Sequence, residues 1–238
     1  MNEKWKEFLA AVERDCSDTH IATQPEECLI YSHGCYPREY KWLLQGEYPY
    51  LTRAVLSPAD EEEIASIMKL ANEYHVGIIP YAGGSGIVGG SIPYHGEIIL
   101  NVKRLTDFSI NTVNGTAKGG AGLTGAEFEN LLNEYGYTCG QYPQSFQSAC
   151  LGGMTATRAI GTFSTKYGKM DDMVTAVDAV LPDGQIFHAH LAPKRSTGPE
   201  LNQLFLGEAA VFHGNPPASH NFSPQVHHRH MDFLAVHI

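Results

Sequence analysis

The chain has 238 residues, of which 43% are hydrophobic, 10% aromatic and 18% charged, enough to bury one sizeable core or two small ones and ordinary for a soluble globular protein. Its formal charge of -10 argues against general affinity for nucleic acid or an anionic membrane, either of which needs a basic face. No apolar run approaches a membrane span, and Met1-Asn-Glu-Lys-Trp-Lys-Glu-Phe-Leu breaks up the apolar stretch that a secretory signal needs.

Trp5, Phe8, Leu9 and Val12 recur at helical spacing and predict a short amphipathic helix. The five cysteines, Cys16, Cys28, Cys35, Cys139 and Cys150, form no C-x-x-C pair, which points to a reduced, cytoplasmic setting and to no metal site. A loop-rich stretch is expected from the first helix to Tyr50, through Tyr31-Ser-His-Gly-Cys-Tyr-Pro37. Ser57-Pro58-Ala-Asp-Glu61 then supplies an N-cap, a proline at the first helical position and acids in the first turn. Ile64, Ile67, Met68, Ala71 and Tyr74 share one face of that helix, and Gly77 ends it. Ile78-Ile-Pro-Tyr81 reads as a short strand entering a glycine loop, 97–102 as a second strand, and 108–113 and 116–119 as weaker ones.

Thr124-Gly-Ala-Glu127 is a capping box opening a helix with Phe128, Leu131 and Leu132 inward, closed by Gly136. Residues 174–181 and 185–190 are expected to form a hairpin around Asp183-Gly184. The pattern is α+β, without an internal repeat. Beyond Leu206 the composition shifts, with six of the 12 histidines, Pro216-Pro217 and Pro224 in that stretch. The expected organisation is a lead-in over 1–50, a domain over 51–207 and a divergent tail over 208–238.

Pro80-Tyr-Ala-Gly-Gly-Ser-Gly-Ile-Val-Gly-Gly90 contains G-x-G-x-x-G, but a Rossmann turn must open directly into a helix. Here Gly90-Ser-Ile-Pro93-Tyr-His-Gly96 follows and cannot propagate one. No Gly-Lys-Ser/Thr closes a Walker loop. What is left is a strand running into glycines whose backbone N–H groups converge on an anion, or tight turns around a bulge. Cys139-Gly-Gln-Tyr-Pro-Gln-Ser-Phe-Gln-Ser-Ala-Cys-Leu-Gly-Gly-Met-Thr-Ala-Thr-Arg-Ala-Ile-Gly161 mixes small residues, hydroxyls and glycines without either period. Backbone wrapped round a polar ligand has that composition, and so does a tightly packed irregular loop. His227-His-Arg-His230 reads as a flexible polar tail, because no acid or cysteine stands at ligand spacing.

In order and wording these segments resemble the vanillyl-alcohol oxidase (PCMH) type of FAD-binding domain. Residues 80–90 are similar to its P-x-G-G-G-T-S-x-x-G-G pyrophosphate loop. Tyr142-Pro-Gln-Ser145 to Gly161, with Tyr167-Gly-Lys-Met-Asp-Asp-Met-Val174, resembles the second flavin segment of the branch that contains alkyldihydroxyacetonephosphate synthase and the glycolate or D-lactate dehydrogenase flavoproteins. The stretch from Pro193 to Gly207 is similar to the one before that family's last flavin motif.

The resemblance implies a PCMH-type domain of two α+β subdomains with FAD between them. It lays the pyrophosphate on Pro80, Tyr81, Ala82, Gly83, Gly84, Ser85 and Gly86. It lays the phosphate and ribityl region on Gln144, Ser145, Phe146, Gln147, Ser148, Ala149 and Cys150, and the closing wall on Thr157, Arg158, Ala159 and Ile160. The family chemistry it implies is oxidation of a small-molecule 2-hydroxy acid by hydride transfer to the flavin, or an ether-lipid synthase reaction.

The departures are specific. Ala82, Ser85 and Gly86 stand where the family has Gly, Thr and Ser, so one hydroxyl donor is lost, on the order of 1 kcal/mol of phosphate binding. The loop holds no histidine or cysteine, so the FAD is expected to be non-covalent, and His95 nearby to face solvent. After Gly207 the family continues approximately Ser-Glu-Gly-Thr-Leu-Gly-Val-Ile-Thr, whereas this chain reads Glu208-Ala-Ala-Val-Phe-His-Gly-Asn-Pro-Pro217. The substrate or cap domain of the family is missing from it, so the sequence is expected to be a truncated or frameshifted product. Catalytic residues stay unassigned, Tyr31, His33 and Arg38 included. The readings left open are a flavin oxidoreductase portion, a non-catalytic flavin-binding remnant, and a subunit whose cap comes from a separate polypeptide. Self-association through uncovered apolar surface is a further expectation.

Overall fold

The computed structural model describes residues 3–189, 196–207, 229–230 and 232–234. Helix α1 (Lys4–Asp15) turns Phe8 and Val12 wholly into the interior, as their spacing predicts. Strand β1 (His20–Ala22) follows. The stretch expected to be loop-rich carries two helices instead, α2 (Pro25–Tyr31) and α3 (Pro37–Gln45). Each begins on a proline, whose missing N–H is harmless there, with acids in its first turn. Their caps are Gln24 and Tyr36, neither a residue type that announces a helix start.

Ser57, expected as a cap, closes strand β2 (Val55–Ser57). Helix α4 (Glu61–Tyr74) starts behind Asp60, whose carboxylate accepts from the Glu63 N–H at 2.9 Å, and ends on His75 at φ 55°, before Gly77 is reached. Strands β3 (Ile78–Tyr81) and β4 (Ile98–Asn101) pair in parallel, giving a sheet of order β1-β2-β4-β3. Every residue of β4 is buried, as a central parallel strand requires.

Strands β5 (Phe108–Asn111) and β6 (Thr116–Gly119) form an antiparallel hairpin. Helix α5 (Gly125–Asn133) opens behind the Thr124–Glu127 capping box, and β7 (Tyr137–Thr138) follows it. Three short helices come next: α6 (Leu151–Ala156), α7 (Ser164–Tyr167) and α8 (Met170–Met173). The run 174–181, expected as one strand, is two: β8 (Val174–Ala176) and β9 (Asp178–Val180). The Val177 carbonyl accepts from the Ala189 N–H at 2.7 Å, so the chain changes partner there. Strand β9 makes the expected hairpin with β10 (Ile186–His188), while β8 joins the second sheet.

A 3-10 turn (Leu201–Phe205) precedes two further strands. Strand β11 (Arg229–His230) pairs with β7, and β12 (Asp232–Leu234) lies between β6 and β8, giving the order β5-β6-β12-β8. Part of the compositionally distinct tail therefore pairs with strands of the domain, and Arg229 and His230 do not simply trail as expected. His227 and His228 lie outside the described residues. One cluster joins Phe8, Ile64, Leu100, Phe128, Leu151 and Met170, so both sheets and the lead-in helix share a core. Among the described residues no helix is long and apolar enough to cross a membrane.

Candidate cofactor site

Strand β3 leaves its sheet at Tyr81, and parallel pairing with β4 sets Val102 beside it, the Val102 N–H donating to the Tyr81 carbonyl at 2.9 Å. The chain then turns through 82–91. Gly84 has φ 61°, and a Cβ there would stand 2.1 Å from the Tyr81 hydroxyl, so glycine is required twice over. A Cβ on Gly83 would lie 2.0 Å from the Ser148 carbonyl oxygen. The two glycine-bearing segments thus touch backbone to backbone at Gly83. Among the described residues, no acceptor takes the N–H groups from Gly83 to Gly90.

Residues 33–39 brace this loop from outside. The Tyr81 hydroxyl donates to the His33 carbonyl at 2.9 Å, and the Cys35 N–H donates to the Gly86 carbonyl at 3.1 Å. Glu39 is buried and accepts from the N–H groups of Gly34 at 3.2 Å and Tyr36 at 3.0 Å, which shapes the brace. Burial pushes the Tyr81 phenol up to about 12, so it stays a neutral donor. His95 is exposed, as expected.

The second segment is held quite differently. Buried Glu129 of α5 accepts from the Thr138 hydroxyl, the Cys139 N–H at 3.0 Å, the Cys139 thiol at 2.9 Å and the Tyr142 hydroxyl at 2.6 Å. Burial, and then the hydrogen bond to Glu129, pushes the Tyr142 phenol up to about 12; burial followed by the Glu129 charge drives the Cys139 thiol well above its ordinary value. Residues 143–149 form a turn, with Phe146 N–H donating to Pro143 O at 2.9 Å and Ala149 N–H to Ser145 O at 2.7 Å. Gly125 N–H reaches Ala149 O at 2.9 Å, Leu151 N–H reaches Leu123 O at 2.7 Å, and Gly152 N–H reaches Ala121 O at 3.1 Å.

Between the segments lies a cavity of about 420 Å³, within the range of small-molecule and cofactor sites. Every residue from Pro80 to Gly86 lines it, as do Ser145, Ala149, Cys150, Thr157 and Ala159. Gln144, Phe146, Gln147, Ser148, Arg158 and Ile160 do not. Gln144, Gln147, Ser148 and Ile160 are exposed, and the 143–149 turn folds Phe146 back onto Tyr142, ring centroids 4.6 Å apart. The Arg158 guanidinium bonds to Gln203 and Leu206 instead.

Sequence reasoning assigned no role to Ile87, Val88 and Ser91, which also line the cavity, although they lie in or beside the glycine run. Gly152 and Gly153 belong to the quoted motif as well. Val102 and Gly207 carry no local signal; β-pairing and the Gly207 N–H bond to Ala156 O at 2.9 Å bring them in. Among the described lining residues no side chain carries a charge. Polarity comes from backbone N–H groups and the hydroxyls of Ser85, Ser91, Ser145 and Thr157. Burial pushes the Cys150 thiol up to about 11, so it is protonated near neutral pH.

The family model described as an FAD binding domain matches residues 52–190. Alkyldihydroxyacetonephosphate synthase of Caenorhabditis elegans is 33% identical over 184 residues, covering 75% of this chain and 31% of the relative. D-lactate dehydrogenase of Archaeoglobus fulgidus is 32% identical over 183 residues, covering 76% of this chain and 41% of the relative. The chain thus spans 31% to 41% of the length of these relatives. Among solved structures, an alkyldihydroxyacetonephosphate synthase superposes with TM-score 0.80 at 24% identity, over 92% of this chain and 41% of that one. p-Cresol methylhydroxylase superposes with TM-score 0.72 at 16% identity, over 92% and 44%. These likenesses identify the fold as that of PCMH-type FAD-binding proteins.

Proposed function

The chain belongs to the FAD-binding-domain family of flavin-dependent oxidoreductases, and we propose that the cavity between 80–91 and 139–160 is where it holds FAD, non-covalently. The donor set of the cavity fits the cofactor. A pyrophosphate is anionic and accepts several hydrogen bonds, and the lining residues Gly83 to Val88 and Gly90 carry N–H groups without acceptors among the described residues. Unpaired backbone donors facing a cavity are the single observation that carries this reading. A Cβ on Gly86 would meet no atom within 4 Å, so the space that a family serine hydroxyl would use is open here.

Apolar lining from Ile87, Val88, Val102 and Met154 suits the ring system. Among the described lining residues Cys150 is the one with a nucleophilic sulfur, and its protonated state favours a non-covalent cofactor. By this reading the loop N–H groups from Gly83 to Gly90 hold the pyrophosphate, while Ser145, Ala149, Cys150, Thr157 and Ala159 form the opposite wall. The whole family member would oxidise a 2-hydroxy acid, the class to which the lactate of its D-lactate dehydrogenase relatives belongs, or carry out a reaction of the kind run by the alkyldihydroxyacetonephosphate synthases. Bound FAD supplies the acceptor for the two electrons of such an oxidation. The lining residues described here would bind and orient it.

A second reading, binding without turnover, rests on one observation. Among the described lining residues no side chain is a histidine, acid or base that takes a proton from a substrate hydroxyl at neutral pH. A visible spectrum separates the two. Purified protein titrated with FAD should show bound flavin bands, and anaerobic bleaching by D-lactate or glycolate would establish turnover. Bands that persist with both acids support binding alone, and a chain that takes up no FAD sinks both readings.

A further inference from the structure

We propose that Arg158 is a positioning residue for the cofactor: absent from the cavity lining itself, its guanidinium holds the 201–207 turn against the end of α6, so that Gly207 completes the wall. The inference rests on the cavity being the FAD site. It begins from backbone geometry. Among the described residues only His75 and Arg158 are non-glycine residues with positive φ, at 55° and 52°. His75 ends a helix, a setting where that conformation is ordinary. Arg158 likewise ends a helix: its N–H donates to the Thr155 carbonyl at 3.0 Å and the Ala159 N–H to the Met154 carbonyl at 2.7 Å, a cap of α6 that sets Arg158 between Thr157 and Ala159, both of which line the cavity.

From that cap the side chain reaches the 201–207 turn. Arg158 Nη2 donates to Gln203 Oε1 and to the Leu206 carbonyl, each at 3.2 Å. Arg158 Nε stands 3.9 Å from Asp171 Oδ2, and Lys169 Nζ lies 2.8 Å from the same oxygen. The next residue after Leu206 is Gly207, whose N–H donates to the Ala156 carbonyl at 2.9 Å; a Cβ on Gly207 would lie 3.1 Å from Arg158 Nε. The turn is anchored at its other side by Phe205, buried, with its ring 4.9 Å from that of Phe187. Arg158 is therefore the side-chain link between that turn and the cavity wall, beside the Gly207 backbone bond. A basic residue serving as counter-charge to an anionic cofactor would face the cavity, and this one serves two acceptors on the turn.

The test combines two measurements on wild type, R158A, R158K and Q203A: FAD affinity by quenching of flavin fluorescence, and amide hydrogen exchange over 201–207 without flavin. R158A should speed exchange at Gly207 and weaken FAD binding by about tenfold, the effect of one hydrogen bond from a charged donor. R158K keeps the charge but not the fork and should show a smaller change in both readouts. Q203A should show the smallest. Faster exchange with wild-type FAD affinity overturns the proposal, because the turn would not position the wall. Weaker FAD binding with unchanged exchange also overturns it, because the guanidinium would then act on the cofactor directly. If R158A does not fold, R158K and Q203A give the same two readouts. A wild-type chain that takes up no FAD removes the cofactor reading and this inference together, whereas a failure confined to the variants removes only the inference.

Discussion

The two walls of the cavity follow opposite hydrogen-bonding plans. From Gly83 to Gly90 the N–H groups find no acceptor among the described residues, and the loop's support comes from outside, through His33 and Cys35. The segment from 138 to 152 is tied to 121–126 by backbone bonds and to α5 by four donors on one buried carboxylate, Glu129. A wall with free donors binds charge, and a wall with satisfied donors holds shape. Changes in the first should thus be read in cofactor affinity, and changes in the second in stability.

E129A gives the strongest test of the satisfied wall. It leaves the Thr138 hydroxyl, the Cys139 N–H and the Tyr142 hydroxyl without their acceptor, and the unfolding free energy in urea should fall by about 3 kcal/mol or more. E129Q keeps an acceptor and should lose less. If E129A unfolds like wild type, that wall is not held by its carboxylate.

G83A strikes where the walls meet. Its Cβ would collide with the Ser148 carbonyl, and overpacking of about 1–3 kcal/mol predicts FAD binding weaker by roughly five- to 150-fold in a fluorescence titration. A loss of thermal stability as large as the loss of affinity would erase the distinction between the walls.

T124A removes half of the capping box that starts α5 beside the Ala149 anchor and should cost about 1 kcal/mol of stability in denaturant melts. The same box makes an acid prediction. The Thr124 N–H and then its hydroxyl hold the Glu127 carboxyl below the usual Glu range. Since the folded value is the lower one, its stabilisation is complete above about pH 4.3 and is lost as pH falls through the depressed value. Melting temperatures of E127Q should therefore depend less on pH in that acid range than those of wild type.

The smallest effect expected is a gain. G86S adds a hydroxyl in open space beside the free donors and should tighten FAD binding by about fivefold, one ordinary hydrogen bond, with little change in melting temperature.

Whatever depends on neighbours in the chain was legible before any tertiary structure. The period of Ile64, Ile67 and Ala71, the Thr124–Glu127 box, the strand at 78–81 and the glycines after it each follow from a helix period, an orphan N–H or a positive φ, which are local demands on residue type. The same local view read 20–50 as loop, because α2 and α3 begin behind Gln24 and Tyr36, and it put the start of α4 at Ser57 when Asp60 does the capping. It also laid whole segments, 144–150 and 157–160, along the cofactor, whereas the cavity takes only Ser145, Ala149, Cys150, Thr157 and Ala159 of them, since a motif shows which residues come together and not which of them line the space. The brace at 33–39, Val102 beside Tyr81, Gly207 at the cavity and β12 between β6 and β8 came only with the fold. Each depends on pairing between segments tens of residues apart, and no local pattern of residue types encodes which distant backbone supplies the partner.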